Sequence, residues 1–287
     1  MRTFFRKFPA LIHFFILRQR ICPGIVLVVF VMSAAMILSA GSFAAEPRRI
    51  VLEGDVWPPY VMDPREGRNG FIVDVAKAAL AKAGYEVVYL NVPWTRSLID
   101  TAKRKCDGSV GIYFSDAVQR KFVIPDEELG VSVNKFYVRR KSHWQYSGIQ
   151  SLASVTLGVI DSYDYGEINA YVDAQRNAGS PKVSFMFGDK ALERNIKKLL
   201  LGDRIDAIVE DQLVVAYVSS RMGIRAAIKE AGTALPYNKV GVAFSPNTPK
   251  SAEYSAALSR GVRQLRASGE LDAILKGYQV SDWKFLE

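Results

Sequence analysis

The sequence has almost no cysteine and almost no histidine. Its two cysteines, Cys22 and Cys106, stand on either side of a long apolar run. Once a leader containing Cys22 is removed, Cys106 is alone, and a lone thiol forms no internal disulfide even in an oxidising compartment. Stability then has to come from core packing. The two histidines, His13 and His143, are far apart, and no His/Cys grouping has metal-ligand spacing. A zinc site is therefore not expected, nor is a cofactor. Acid is missing from the first 45 residues, whereas Arg2, Arg6, Lys7, Arg18 and Arg20 all lie there. The formal charge of +9 thus leaves only +4 for the rest of the chain. The basic pairs Arg139-Arg140 and Lys197-Lys198 are isolated and interleaved with acids, so a nucleic-acid partner is not expected.

The basic start is followed by an apolar run over residues 24–40 and the small-residue stretch Ala40-Gly41-Ser42-Phe43-Ala44-Ala45. This is the pattern of a secretory signal. Ser42 and Ala44 satisfy the small-x-small rule, so residues 1–44 are expected to be a signal peptide and the mature chain to begin near Ala45 in the periplasm. The competing reading is an uncleaved membrane anchor, because the run is long and the basic region extended and partly apolar. Cys22 precedes the run, which argues against a lipoprotein anchor.

With 49% hydrophobic and 23% charged residues, the 287-residue chain can build one large or two medium cores. From Ile50 onward, short β-branched runs alternate with stretches of helical period, which predicts an α/β fold of βαβ units around mostly parallel sheets. Strands are expected at 50–52, 86–92 and 110–113, with helices starting at Phe71, ending at Gly84, and at 94–103, where Leu98 and Ile99 point inward. A second β-α-β-α-β series follows: strand 155–160, helix 165–174, strand 183–187, helix 191–201, strand 205–209. Between the units, 131–139 reads as extended, as does 239–244 after the second. Two ordered crossings of this kind would form a hinge. The expected division is lobe 1 over 45–135, lobe 2 over 136–236, and a return to lobe 1 over 237–287, where helices at 251–278 pack back. A monomer is expected.

In open α/β sheets, ligands bind beyond the carboxyl ends of the strands. The residues found there are Trp57 and Tyr60, then Trp94, then Tyr113, Ser115 and Arg120; the second unit offers Ser162, Tyr163 and Asp164, and Glu210 with Asp211. The set suits a zwitterion. Arg120 can hold a carboxylate through two parallel N–H bonds, with Ser115 adding a hydroxyl. Asp211 can accept from an ammonium, and Trp57 and Trp94 can wall the ligand's body. Each also has a plainer reading: the tryptophans as core, Arg120 as a solvated surface residue, Asp211 as the N-cap of a helix over 212–220.

At these residues the chain resembles the family 3 bacterial extracellular solute-binding proteins, which serve polar amino acid importers of the ATP-binding-cassette class. The likeness rests on Trp57-Pro58-Pro59-Tyr60, on Gly70-Phe71-Ile72-Val73-Asp74-Val75-Ala76, on Cys106-Asp107-Gly108-Ser109-Val110-Gly111 with Ser115 and Arg120 beyond it, and on Asp203-Arg204-Ile205-Asp206-Ala207-Ile208-Val209-Glu210-Asp211. The resemblance implies a two-lobed type II periplasmic-binding fold with two crossover strands. It also implies a small polar ligand such as an amino acid, and delivery to a membrane permease. It assigns the ligand carboxylate to Ser115 and Arg120, the ammonium to Asp211, and the sandwich to Trp57 and Trp94. The chain departs from the family pattern at Gly54, where many members carry an acid, which speaks against a lysine- or arginine-type ligand, and at Ser162-Tyr163-Asp164 in place of a Gly-Thr pair and the bulky Tyr113, which imply a smaller or differently shaped pocket. Two other functions fit the same fold: presentation of ligand to a membrane sensor, or an enzyme resembling cyclohexadienyl dehydratases, with Glu210 or Asp164 as general acid.

Overall fold

A computed structural model describes residues 48–161, 163–188, 190–201 and 204–286. The expected signal peptide and the candidate site residue Ser162 lie outside the described residues. No helix among the described residues is long and apolar enough to cross a membrane.

Two five-stranded sheets organise the chain. The first has the order β2-β1-β3-β10-β4. Its strands are β1 (Arg48–Gly54), β2 (Tyr85–Asn91), β3 (Gly108–Tyr113), β4 (Gly130–Ser132) and β10 (Asn238–Phe244). The second has the order β7-β6-β8-β5-β9. It contains β5 (Asn134–Arg139), β6 (Leu157–Ile160), β7 (Val183–Met186), β8 (Ala207–Asp211) and β9 (Ile228–Thr233). β1 pairs in parallel with both β2 and β3, and β6 with both β7 and β8; β10 and β5 run antiparallel to their neighbours. Parallel neighbours need covered faces, which is why Ile50 and Leu52 of β1 and Leu157 and Val159 of β6 are all fully buried.

The helices that cover the first sheet are α1 (Phe71–Ala81), α2 (Trp94–Ala102), α3 (Phe114–Gln119), α7 (Ser251–Ser268) and α8 (Glu270–Lys276). The second sheet carries α4 (Asn169–Asn177), α5 (Ala191–Leu201) and α6 (Gln212–Arg221). α7 returns onto α1 and is anchored there by Leu258, Val262 and Leu265, all at 0% exposure. Farther along, Trp283 donates its indole N–H to the buried carboxylate of Glu128 at 3.0 Å, tying the tail to the first lobe.

The stretch expected to be one extended crossing over 131–139 is two strands. β4 pairs with β10 in the first sheet and β5 with β8 and β9 in the second, so the chain changes sheet at Val133. β9 was not visible in the sequence, because Lys229 and Glu230 interrupt the apolar pattern at what proves to be a sheet edge. Ile99, expected inward, is 46% exposed; on α2 the buried stripe runs through Ser97, Leu98, Asp100 and Thr101 instead. Cys106 is a core residue: it is buried, its thiol donates to Gly108 O, and burial pushes it up to about 11.

Candidate functional site

A cavity of about 500 Å³ is lined from both sheets, within the size range of small-molecule sites. Trp57, Trp94, Tyr113 and Ser115 line it from the first lobe, Tyr163 and Asp164 from the second. The two tryptophans are half-buried, with one face in the core and the other on the cavity. Trp57 is held by backbone hydrogen bonds exchanged with Val61 around Pro58-Pro59, and it stacks on Tyr60 with ring centroids 4.1 Å apart. A second cavity, of about 370 Å³, touches only the first lobe, near Cys106 and Lys250.

Tyr60, Arg120 and Asp211, the other expected site residues among those described, do not line the cavity. Tyr60 is fully buried beneath Trp57 and donates its hydroxyl to Asp211 Oδ2 at 2.9 Å. Asp211 is 1% exposed and accepts five hydrogen bonds. Oδ1 receives the backbone N–H groups of Leu213 and Val214, the N-cap geometry for α6. Oδ2 receives Tyr60, the Ser132 hydroxyl and the Val133 N–H. A carboxylate has about four lone-pair directions, so this one is saturated. Burial raises its carboxyl above the usual range, against the pull of those donors. The plainer reading of Asp211 as a helix cap therefore describes its contacts here, and its location is the junction of the lobes.

Arg120 ends α3 and donates from Nε to Asp116 Oδ1 at 2.9 Å, four residues back. Its side chain is 44% exposed, and Asp116, not Arg120, reaches the cavity wall. Tyr113, the residue before α3, lies edge-on to Trp57 and hydrogen-bonds Ser132 at 3.1 Å. Asp164 is exposed; its Oδ1 accepts from Gly166 N and from the Asn169 amide, which fixes the turn before α4.

Besides Asp116, two acids outside the expected ligand-binding set face the cavity: Asp55, and Glu210, which the sequence placed at a strand end and as a candidate general acid. Asp55 follows β1 directly, and its carboxylate accepts from Val56 N and from Trp94 N, bridging β1 to the start of α2. The departure at Gly54 has a steric cause: a Cβ there would stand 2.7 Å from Val110 O, so no side chain fits and the acid comes one residue later. Glu210 is the other. It is 3% exposed, lines the cavity, and accepts from Asp211 N at Oε1, while Oε2 is buried without a hydrogen-bond partner. Burial pushes its carboxyl up to about 8; the Asp211 N–H pulls it down, and the neighbouring Asp211 charge raises it again. β8 runs through Asp211, and successive strand residues point to opposite sides, so only one of the adjacent acids can serve the cavity. With Asp55, Asp116, Asp164 and Glu210 in its lining and no Lys, Arg or His among the described lining residues, the cavity is acidic with aromatic walls. No group of acids, histidines or cysteines among the described residues is arranged to hold a metal ion.

A small solute held between two lobes is enclosed when one lobe rotates on the other, and this working principle defines the two-lobed solute-binding proteins, the class to which fold and cleft assign the chain. More narrowly, the chain belongs to the bacterial extracellular solute-binding proteins, family 3, whose pattern matches residues 49–281. The arginine-binding extracellular protein ArtP of Bacillus subtilis (strain 168) is 24% identical over 261 residues, covering 87% of this chain and 92% of the relative. Among solved structures, an ancestral arginine-binding protein bound to arginine superposes with a TM-score of 0.59 at 19% identity, covering 81% of this chain and 99% of its own. A histidine kinase sensor domain with similarity to periplasmic binding proteins gives 0.60 at 20% identity, covering 81% and 96%.

Proposed function

We propose that the protein captures an amino acid bearing a side-chain cation, of the arginine or lysine type, outside the cell and delivers it to the membrane permease of an ATP-binding-cassette importer. One observation carries this reading: the cavity combines flat aromatic walls with four acids and no lining base among the described residues. An acidic aromatic cleft attracts a guanidinium or ammonium both through charge and through the ring faces. Trp57, Trp94 and Tyr163 are the walls in this reading. Arg120 takes the ligand carboxylate together with Ser115, exchanging Asp116 for it. The arginine-binding relative supports the same ligand class.

The protein acts by binding without turnover. A dehydratase would need a general acid; of the two candidates Asp164 is exposed and committed to its turn, and Glu210 in this reading is kept for the ligand's cation. Product formed from prephenate or arogenate would overturn the binding-only reading. Secretion through a cleaved signal spanning residues 1–44 completes the proposal, and a fragment beginning near Ala45 in the periplasmic fraction is its check. The sensor-domain fold likeness supports a second partner, a membrane sensor contacting the same closed lobes.

A thermal-shift screen of the chain from residue 45 against the common amino acids and small organic acids tests the reading. A ligand that binds only the native state at a hundred times its Kd stabilises by about 2.7 kcal/mol. Arginine, lysine or ornithine should raise Tm, and glutamate should not. Arg120→Ala should weaken the responsive ligand by at least about ten-fold, the loss of a charged hydrogen-bond pair, while leaving the unliganded Tm unchanged, because its partner Asp116 is an exposed ion pair. No shift with any cationic amino acid would reject this ligand class.

A further inference from the structure

Resting on that reading and deepening it, we propose that Glu210 is the carboxylate that receives the ligand's nitrogen cation, and that it gives up a proton to do so, so that capture is coupled to proton release. The position of the side chain makes the case. Glu210 is the most enclosed acid of the cavity, at 3% exposure, and its Oε2 is shut away from water with no donor. A buried carboxylate oxygen left unpaired is costly, and the cost is removed when a donor arrives. Asp211 cannot supply the same service, because all its acceptor directions are filled by the α6 cap and the junction donors.

The charges around Glu210 leave the place of the counter-ion open. On its own strand stands Asp211. On β5, in register with it, is Lys135, but that ammonium is turned to Glu230 of β9 at 2.8 Å. From the loop after β6 come Asp164 and the phenols of Tyr163 and Tyr165, and from the first lobe Tyr113 and the more distant Asp55. Burial raises all of these phenols and that of Tyr137 on β5, Tyr163 to about 12, so they are neutral near pH 7. Every facing group is thus acidic, neutral or already paired. In the empty cleft Glu210 keeps its proton, consistent with a carboxyl pushed up to about 8. A ligand nitrogen cation at hydrogen-bond distance reverses the preference, and the balance is a carboxylic acid plus a cation giving an ion pair plus one proton passed to solvent.

The sign follows from linkage. Below the free carboxyl's midpoint, binding must first remove a proton, so affinity rises with pH toward about 8 and levels off above it. Calorimetry with L-arginine at pH 6.5, in phosphate and in a buffer of large ionisation enthalpy such as imidazole, counts the proton directly. Between half and one proton should be released per arginine bound, and Kd should tighten about twenty-fold from pH 6.0 to 7.5. Glu210→Gln should bind at least about ten-fold more weakly at pH 7.5, release no proton and show a flat pH profile. Equal heats in the two buffers for wild type, or wild-type affinity in Glu210→Gln, would overturn the assignment. The buffer comparison needs only the wild-type protein, so it decides the matter even if the variant misfolds. If wild type binds no cationic amino acid, the functional reading itself fails; if it binds arginine without exchanging a proton, only the role of Glu210 falls.

Discussion

Asp211 and Glu210 are adjacent, both carboxylates and both buried, yet they should respond to mutation in opposite directions. Replacing Asp211 by Ala removes the α6 cap and strands the Val133 N–H, while the Tyr60 hydroxyl keeps Val131 O and the Ser132 hydroxyl keeps Tyr113. Loss of a cap costs about 0.5–2 kcal/mol and a stranded donor about 1–3 kcal/mol, so Asp211→Ala should lower Tm by at least roughly 3–6 °C. Glu210 behaves the other way. Its folded-state carboxyl is raised from 4.5 to about 8, so between those pH values the folded protein holds more protons than the unfolded chain. Stability contributed by the neutral acid is present below about 4.5 and is lost as pH rises through about 8. Glutamine carries no such penalty. Without ligand, Glu210→Gln should therefore melt close to wild type at pH 5 and above it at pH 8. Melts followed by circular dichroism at both pH values check this, and a difference independent of pH would show that Glu210 does not titrate as argued. The sequence reading gives the ammonium to Asp211 and names Glu210 only as a general acid; the strand's alternation and the donors waiting at the junction are what separate the two. Trp57 and Trp94 each stand three residues beyond a strand end and line the cavity.

Gly261 sits in the middle of α7, where an alanine would ordinarily improve helix propensity by about 1 kcal/mol. Here a Cβ would stand 2.2 Å from Ala79 O and 2.6 Å from Ala79 C on α1, so the two helices touch backbone to backbone. Gly261→Ala should then destabilise the protein by about 1–3 kcal/mol, the range for overpacking, despite the propensity gain. Urea unfolding measures the sign directly; a stabilised variant would mean that α7 does not return so closely onto α1. The element pattern was largely legible because buried parallel strands such as β1 and β6 read as continuous apolar runs and helices such as α5 as periodic ones. Legibility failed where neighbours decide. Nothing in Gly130 to Arg139 announces that one extended run belongs to two sheets, because pairing partners, β10 on one side and β8 on the other, break it at Val133. α3 and β9 are short and mixed in character, and each exists through its contacts with β10 or β5.

The two lobes exchange the chain at Val133 and again between β9 and β10, and at the first crossing Asp211 of the second lobe holds Tyr60 and Ser132 of the first. That arrangement sets what can move. The junction donors tie the lobes together at one end of the cleft, while the outer walls, Trp94 and Asp55 on one side and Tyr163 and Asp164 on the other, are joined by no hydrogen bond among the described residues. A ligand drives that approach only to the extent that it binds the closed arrangement better than the open one. A cation bridging Glu210 and the aromatic walls, with its carboxylate on Arg120, makes contacts to both lobes that a ligand lying on one lobe cannot. Small-angle scattering should therefore show a smaller radius of gyration with saturating L-arginine than without it, and the change should be much reduced in Arg120→Ala even at arginine concentrations that saturate the variant. An unchanged radius in wild type, with binding confirmed by calorimetry, would mean that the ligand is held on one lobe and that the junction at Asp211 is a rigid strut rather than a hinge.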